Sequence, residues 1–215
     1  MKSVPFTTTA EHRAAAAEVV GHLRAGGLIV YPTETVFGIG GALEPAAVAR
    51  LSALKSRDEA KPFLLLVSDE EQAPGLEWNA VARRLADAFW PGPLTLVLKD
   101  VAGRYPAGVA SANGGVALRR TSHAGVTVVL DALGAPITST SANTRGARPA
   151  RTAAEALDAA RHLGADAGDV WLLDGEAGGA PPSTVVDCTS EPPRLVRAGA
   201  VPLERIREVV DVVEG

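Results

Sequence analysis

Cysteine is nearly missing from this chain of 215 residues. Its single copy, Cys188, excludes an intramolecular disulfide and any zinc cluster built on cysteine, and it fits a reducing compartment. Aromatic residues are also scarce, at 4% against 47% apolar overall, so the core must consist mainly of Ala, Val and Leu. Long apolar runs are lacking: none approaches the length needed to cross a bilayer, and residues 1–6 carry no apolar leader. The expectation is a cytoplasmic protein with no membrane partner. Excess positive charge is absent too. A formal net charge of −4 argues against a general nucleic-acid coat, while leaving room for a local basic patch.

Several catalytic signatures are missing as well. No Gly-x-x-x-x-Gly-Lys-Ser/Thr phosphate loop, dinucleotide glycine fingerprint or Gly-x-Ser-x-Gly elbow is present. The four histidines are scattered and form no paired zinc motif, so no metal ligands are expected from the chain.

What is present is an alternation of apolar strands and amphipathic helices. Periodicity predicts helices over 7–27 (capped by Thr9), from Pro45 to the first basic cluster, and over 78–89, 124–134, 152–163 and 203–213. Short apolar runs predict strands at 28–31, 63–67, 94–98, 115–120, 136–139, 170–173, 183–188 and 195–199. Several strands follow one another without a helix between them, which favours one mixed α/β (α+β) sheet flanked by helices. The length suits a single domain, 1–215.

Polar residues collect where these strands end, and strand ends are where such sheets form a crevice. The connection after the second helix carries Lys55, Arg57 and Lys61, three cations within seven residues. Such a cluster suits a polyphosphate, since Arg grips two oxygens and Lys acts as a point charge; a solvated turn balanced by Asp58 and Glu59 is the plainer reading. The segment from Thr33 to Gly41, rich in Thr and Gly, lets backbone approach a ligand closely, or else forms a turn bonded to itself through its threonines. Arg119 ends one strand, Ser139, Ser141 and Asn143 end another, and Ser183 and Arg197 stand at the last two. If these meet with Thr35, the site holds about five cations and a ring of small hydroxyls, with no dominant acid/base pair. That composition fits phosphoryl or nucleotidyl transfer, where positioning and charge neutralisation do most of the chemistry.

In order along the chain, Tyr31-Pro32-Thr33-Glu34-Thr35-Val36-Phe37-Gly38-Ile39-Gly40, Lys55-Ser56-Arg57, Trp90-Pro91-Gly92-Pro93-Leu94-Thr95, Ser139-Thr140-Ser141-Ala142-Asn143, Pro182-Ser183-Thr184-Val185-Val186-Asp187 and Arg197-Ala198-Gly199 resemble the YrdC-like family over about residues 12 to 210. The resemblance implies the fold of that family and the activity of a nucleotidyltransferase. L-threonine, bicarbonate and ATP would give L-threonylcarbamoyladenylate and pyrophosphate, with Mg²⁺, for transfer by other proteins to adenosine 37 of tRNAs reading codons that begin with A. It further implies that Thr35, Arg119, Ser139 and Ser183 contact threonine, that Arg57, Lys61, Ser141 and Arg197 contact ATP, and that Lys55 and Asn143 complete the catalytic set with Arg57 and Ser141. Three stretches depart from the family pattern: the loop 144–150 carries Arg145 and Arg148, Leu66 stands where some members have a histidine, and 120–125 lacks the usual apolar, proline-containing turn. A paralogue using another nucleotide or carbamoyl substrate and a binding module for structured RNA are the alternative readings. Against the latter stand the acidic balance and the few aromatics, since RNA readers stack bases on aromatic rings.

Overall fold

The computed structural model describes residues 1–55, 62–165 and 169–214. Within these residues twelve strands join into one mixed sheet: β1 (Lys2–Pro5), β2 (Leu28–Tyr31), β3 (Gly38–Gly41), β4 (Leu64–Val67), β5 (Leu76–Glu77), β6 (Leu94–Asp100), β7 (Gly115–Arg120), β8 (Ile137–Ser141), β9 (Val170–Asp174), β10 (Thr184–Asp187), β11 (Arg194–Arg197) and β12 (Val213–Glu214). Their order is β1-β9-β2-β3-β8-β4-β7-β6-β10-β11-β12, with β5 pairing beside β6. Among the described residues, six helices pack on it: α1 (Thr9–Arg24), α2 (Pro45–Lys55), α3 (Ala80–Phe89), α4 (Ala124–Leu133), α5 (Ala153–His162) and α6 (Leu203–Arg207). The expected mixed α/β architecture is the one observed.

Side chains alternate along a strand, so each strand contributes to both faces. On the back face Leu28, Val30, Ile39, Leu65, Leu96, Leu118 and Val186 form one cluster, covered by Val48 and Leu51 of α2, Leu85 of α3, Ala156 of α5 and Ile206 of α6. On the front face Ile29, Tyr31, Leu66, Ile137 and Leu173 form a second cluster, covered by Val19 and Leu23 of α1 and Val126, Val129 and Leu130 of α4. The two front helices reach only one half of the sheet. The other half is where the candidate site lies.

Local chemistry explains the element ends and the differences from expectation. α1 is capped by Thr8, one residue before the expected Thr9: Thr8 Oγ1 accepts the Glu11 amide at 3.2 Å, and Glu11 Oε2 accepts the Thr8 amide at 2.8 Å. α4 starts at His123, whose Nδ1 accepts the Val126 amide, and ends at Gly134 in the left-handed region. The helix expected over 203–213 stops at Arg207. The run Val209-Val210-Asp211-Val212-Val213 is rich in β-branched residues, which resist the helix, and Val213 instead pairs with Arg194 in β11. Residues 38–41, read as a ligand-approach loop, form β3 between β2 and β8. The close approach is to protein backbone: a Cβ on Gly40 would lie 1.6 Å from the Thr138 carbonyl oxygen.

Candidate active site

Strand register brings the site together. Across the front face, the paired positions run Gly38 with Ser141, Leu64 with Ser139, Leu66 with Arg119, Val97 with Ala117, Thr95 with Val185, and Val185 with Arg197. Residues paired across adjacent strands point to the same side of a sheet. Ser139, Ser141, Arg119, Thr95 and Arg197 therefore share one face although they span more than a hundred positions of sequence. A cavity of about 710 Å³ opens over that face. The expected crevice is made from the sheet face as well as from strand ends.

Its wall on one side is the loop between β2 and β3. Thr33 organises it: Oγ1 donates to the Val36 carbonyl at 2.7 Å and accepts the amides of Thr35 and Val36 at 3.2 and 3.3 Å. The Thr35 hydroxyl sits 2.9 Å from that of Thr33. The self-bonded turn and the ligand-facing turn are thus one structure, for Thr33 and Thr35 both line the cavity. The loop is fastened to the end of β8, with the Phe37 amide on the Ala150 carbonyl and the Ala142 amide on the Phe37 carbonyl, each 2.8 Å.

On the opposite side, the Ser183 hydroxyl lies 2.8 Å from that of Thr95. Arg197 donates to the Ser183 carbonyl from Nε at 3.1 Å and from Nη2 at 2.7 Å, and Nη2 also reaches Ser183 Oγ at 3.1 Å. Partial desolvation and the neighbouring Arg119 charge push the Arg197 guanidinium below its ordinary pKa, although it remains a cation at neutral pH. Arg119 lies on the floor, 4% exposed, with Glu34 at 3.5 Å as its ion-pair partner. Two guanidinium groups against one carboxylate leave the cavity net positive among the described residues, which suits an anionic ligand.

Ser141 and Asn143 form a corner at the end of β8. Ser141 Oγ donates to Asn143 Oδ1 at 2.6 Å, and Asn143 Nδ2 donates to the Ala147 carbonyl at 2.7 Å. Lys55, at the end of α2, bonds the Ser141 carbonyl at 3.0 Å, Asn143 Oδ1 at 3.3 Å and the Asn143 carbonyl. Its ammonium thus clamps the corner from behind, and neither Lys55 nor Asn143 belongs to the cavity lining. Asn143 instead faces a neighbouring cavity of about 680 Å³, which Arg148 and Arg151 also line.

Of the residues expected from sequence, Thr35, Arg119, Ser139, Ser141, Ser183 and Arg197 meet around the one cavity. Arg57 and Lys61 lie outside the described residues. Leu66 is fully buried in the cluster under α1 and α4. Sequence reasoning gave no individual role to Thr95, Thr33, Glu34 or Thr121. The alternation of Thr95 and Val97 along β6 was a usable signal for the first, Thr33 and Glu34 entered only within the threonine-rich segment, and nothing local marks Thr121. Among the described residues no group of His, Cys, Asp or Glu side chains could hold a metal ion.

Comparison with known proteins identifies the family. The family model Sua5/YciO/YrdC, described as "Telomere recombination", matches residues 21–199. The threonylcarbamoyl-AMP synthase of Chromohalobacter salexigens is 41% identical over 181 residues, covering 81% of this chain and 92% of that protein. The crystal structure of P. abyssi Sua5 complexed with L-threonine superposes with a TM-score of 0.86 at 30% identity over 99% of this chain, which spans 62% of that longer chain. E. coli YciO shares the fold, with a TM-score of 0.80 at 24% identity over 95% of this chain and 98% of its own. With most of its length matched by the family model and a curated relative above two-fifths identity, this chain belongs to the Sua5/YciO/YrdC family.

Proposed function

We propose that this protein is an L-threonylcarbamoyladenylate synthase, a nucleotidyltransferase that joins L-threonine, bicarbonate and ATP. The observation that carries the reading is the gathering of Arg119, Arg197, Ser139, Ser141, Ser183 and Thr35 around one cavity of about 710 Å³, a volume within the range of small-molecule sites. The guanidinium of Arg119 takes the threonine carboxylate in a charge-assisted pair. The hydroxyls of Thr35, Ser139 and Ser183 accept from the amine and meet the side-chain hydroxyl, since each can both donate and accept. Two nearby arginines favour the neutral amine, the form that condenses with bicarbonate to give the carbamate and water. One carbamate oxygen then forms a bond to the α-phosphorus as the bond from that phosphorus to the β-phosphate bridging oxygen breaks, and pyrophosphate leaves with the electron pair.

Arg197 and Ser141 hold the nucleotide side of the cavity in this reading, and Arg57 and Lys61 join them on the strength of the family resemblance. Lys55 and Asn143 act by fixing the Ser141 corner. The lining contains no carboxylate, so the chain's described residues do not form a magnesium site. Mg²⁺ would enter as the nucleotide's own complex. The product passes to other proteins that transfer the threonylcarbamoyl group to tRNA. A cytoplasmic location fits the lone buried Cys188 and the requirement for ATP and tRNA. No described helix is long and apolar enough to cross a membrane.

The test is a pyrophosphate-release assay with threonine, bicarbonate and ATP omitted in turn. Release should need all three. Release from ATP that is indifferent to threonine would discard the reading.

A further inference from the structure

Two buried polar atoms without a hydrogen-bond partner meet at the cavity floor. Among the described residues four such side-chain atoms occur: the Tyr31 hydroxyl, Glu34 Oε1, Ser68 Oγ and Arg119 Nε. Two of them face one another, since Glu34 Oε1 and Arg119 Nε are 3.5 Å apart, too far for a good hydrogen bond and near enough that a small movement makes one. The Tyr31 hydroxyl lies close by, next to Ser139.

Glu34 is otherwise well anchored. Its Oε2 accepts the Thr121 hydroxyl at 2.7 Å. Thr121 is tied in turn to β4, its amide on the Val67 carbonyl at 3.2 Å, and its Oγ1 accepts the His123 amide at 3.2 Å. The backbone at Glu34 is pinned from the other side by the loop after β9. The Gly178 amide bonds the Thr33 carbonyl at 2.9 Å, and a Cβ on Gly178 would lie 2.3 Å from the Glu34 carbonyl oxygen. Glu34 is thus a strut between the loop after β2 and the turn after β7, and it meets Arg119 at the guanidinium edge nearest its own stem.

A buried guanidinium needs a partner, and the donor set of Arg is a rigid fork. A carboxylate on Nε leaves both terminal nitrogens to the cavity, the geometry that takes another carboxylate with two parallel bonds. We propose that Glu34 is a positioning residue: its carboxylate, held by Thr121, aims Arg119 so that the terminal nitrogens receive the carboxylate of an amino-acid substrate. The proposal deepens the function given above and rests on it for the identity of the substrate. It also has a competitor with the opposite sign, in which Glu34 occupies Arg119 in the empty site and weakens substrate binding.

The full chain is assayed for pyrophosphate release, and the Arg119 Nε–H is followed by ¹⁵N NMR without ligand. Glu34→Gln should raise KM for L-threonine about tenfold or more, with kcat falling less than about threefold and KM for ATP within about twofold. Thr121→Val should raise KM for threonine about threefold, and Thr121→Ser, which keeps the hydroxyl, should restore the wild-type value. Solvent exchange at Arg119 Nε–H should be slow in the wild type and about tenfold faster in Glu34→Gln. Unchanged or tighter threonine KM in Glu34→Gln overturns the proposal, as does an equal loss for ATP and threonine. If wild-type protein releases no pyrophosphate with threonine, the functional reading fails. The exchange measurement still decides the strut, with unchanged Nε–H exchange rejecting it. Should Glu34→Gln not fold, Thr121→Val and Thr121→Ser carry the same comparison.

Discussion

Under α1 and α4 the front face of the sheet is apolar, with Ile29, Leu66 and Ile137 buried against Val126, Val129 and Leu130. One register step away the same face is polar. Leu66 is paired with Arg119, and Leu64 with Ser139. Both halves are built from similar strands in one sheet, and what separates them is the partner that covers them. Helices seal the first half with hydrocarbon. The second is left open, floored by a buried arginine and ringed by hydroxyls that have little to gain from a helix and much from a charged ligand. The lesson is that burial alone does not mark core: Arg119, Ser139 and Ser183 are less exposed than the core residues Leu76 and Leu133, yet they line a cavity.

If the two halves differ in this way, substitutions should separate activity from stability. The largest effect is expected at Arg119. Arg119→Ala removes the buried cation proposed to meet the substrate, at a cost of about 4 kcal/mol, so kcat/KM for L-threonine should fall about a thousandfold. A loss below tenfold would show that the carboxylate is bound elsewhere. In the covered half, Leu130→Ala should cost about 3 kcal/mol of stability through the cavity it leaves, seen as a lowered denaturation midpoint, while KM for threonine in the folded fraction stays at its wild-type value. A change in that KM would mean the halves are coupled. At the basic cluster, Arg57→Ala should reduce turnover about a hundredfold, roughly 3 kcal/mol, while leaving the chain folded; near-normal pyrophosphate release would remove Arg57 from the reaction.

The smallest effect is on pH dependence. Burial pushes the His123 imidazole below its ordinary pKa, with smaller opposing contributions from the Glu176 carbonyl and Glu34. Burial does the same at the more exposed His22. A group with a depressed folded-state pKa binds its proton more readily when unfolded, so its contribution is complete above about pH 6.5 and is lost as pH falls through the folded-state value. The thermal midpoint should therefore decline as pH falls below about 6.5. His123→Gln should flatten part of that decline. An identical profile in the variant would assign the effect to other groups.

Much of the molecule was legible from sequence because its signals are local. Strand and helix positions follow from apolar spacing, although the α1 cap is Thr8, one residue before the expected Thr9. The misread segments are those where tertiary contact overrode local pattern. The glycines at 38, 40 and 41 suggested a ligand loop, but the segment forms β3 between β2 and β8, where Gly40 lies too close to the Thr138 carbonyl for a side chain. The C-terminal valines abandoned the helix for pairing with β11. The family resemblance placed Lys55 and Asn143 in one set with Arg57 and Ser141, and in the structure the Lys55 ammonium bonds the corner that Ser141 and Asn143 form.

Taken alone, the amino-acid sequence determined the order of elements, the scarcity of aromatic core, the absence of metal and disulfide chemistry based on cysteine, and the presence of hydroxyls and cations at strand termini. Those properties depend on neighbours in the chain. Only tertiary structure decided which of these side chains share a cavity, and that Glu34 stands under Arg119. Strand register between segments far apart in sequence sets which face each residue occupies, and a shift of one position would turn Arg119 and Ser139 away from the site.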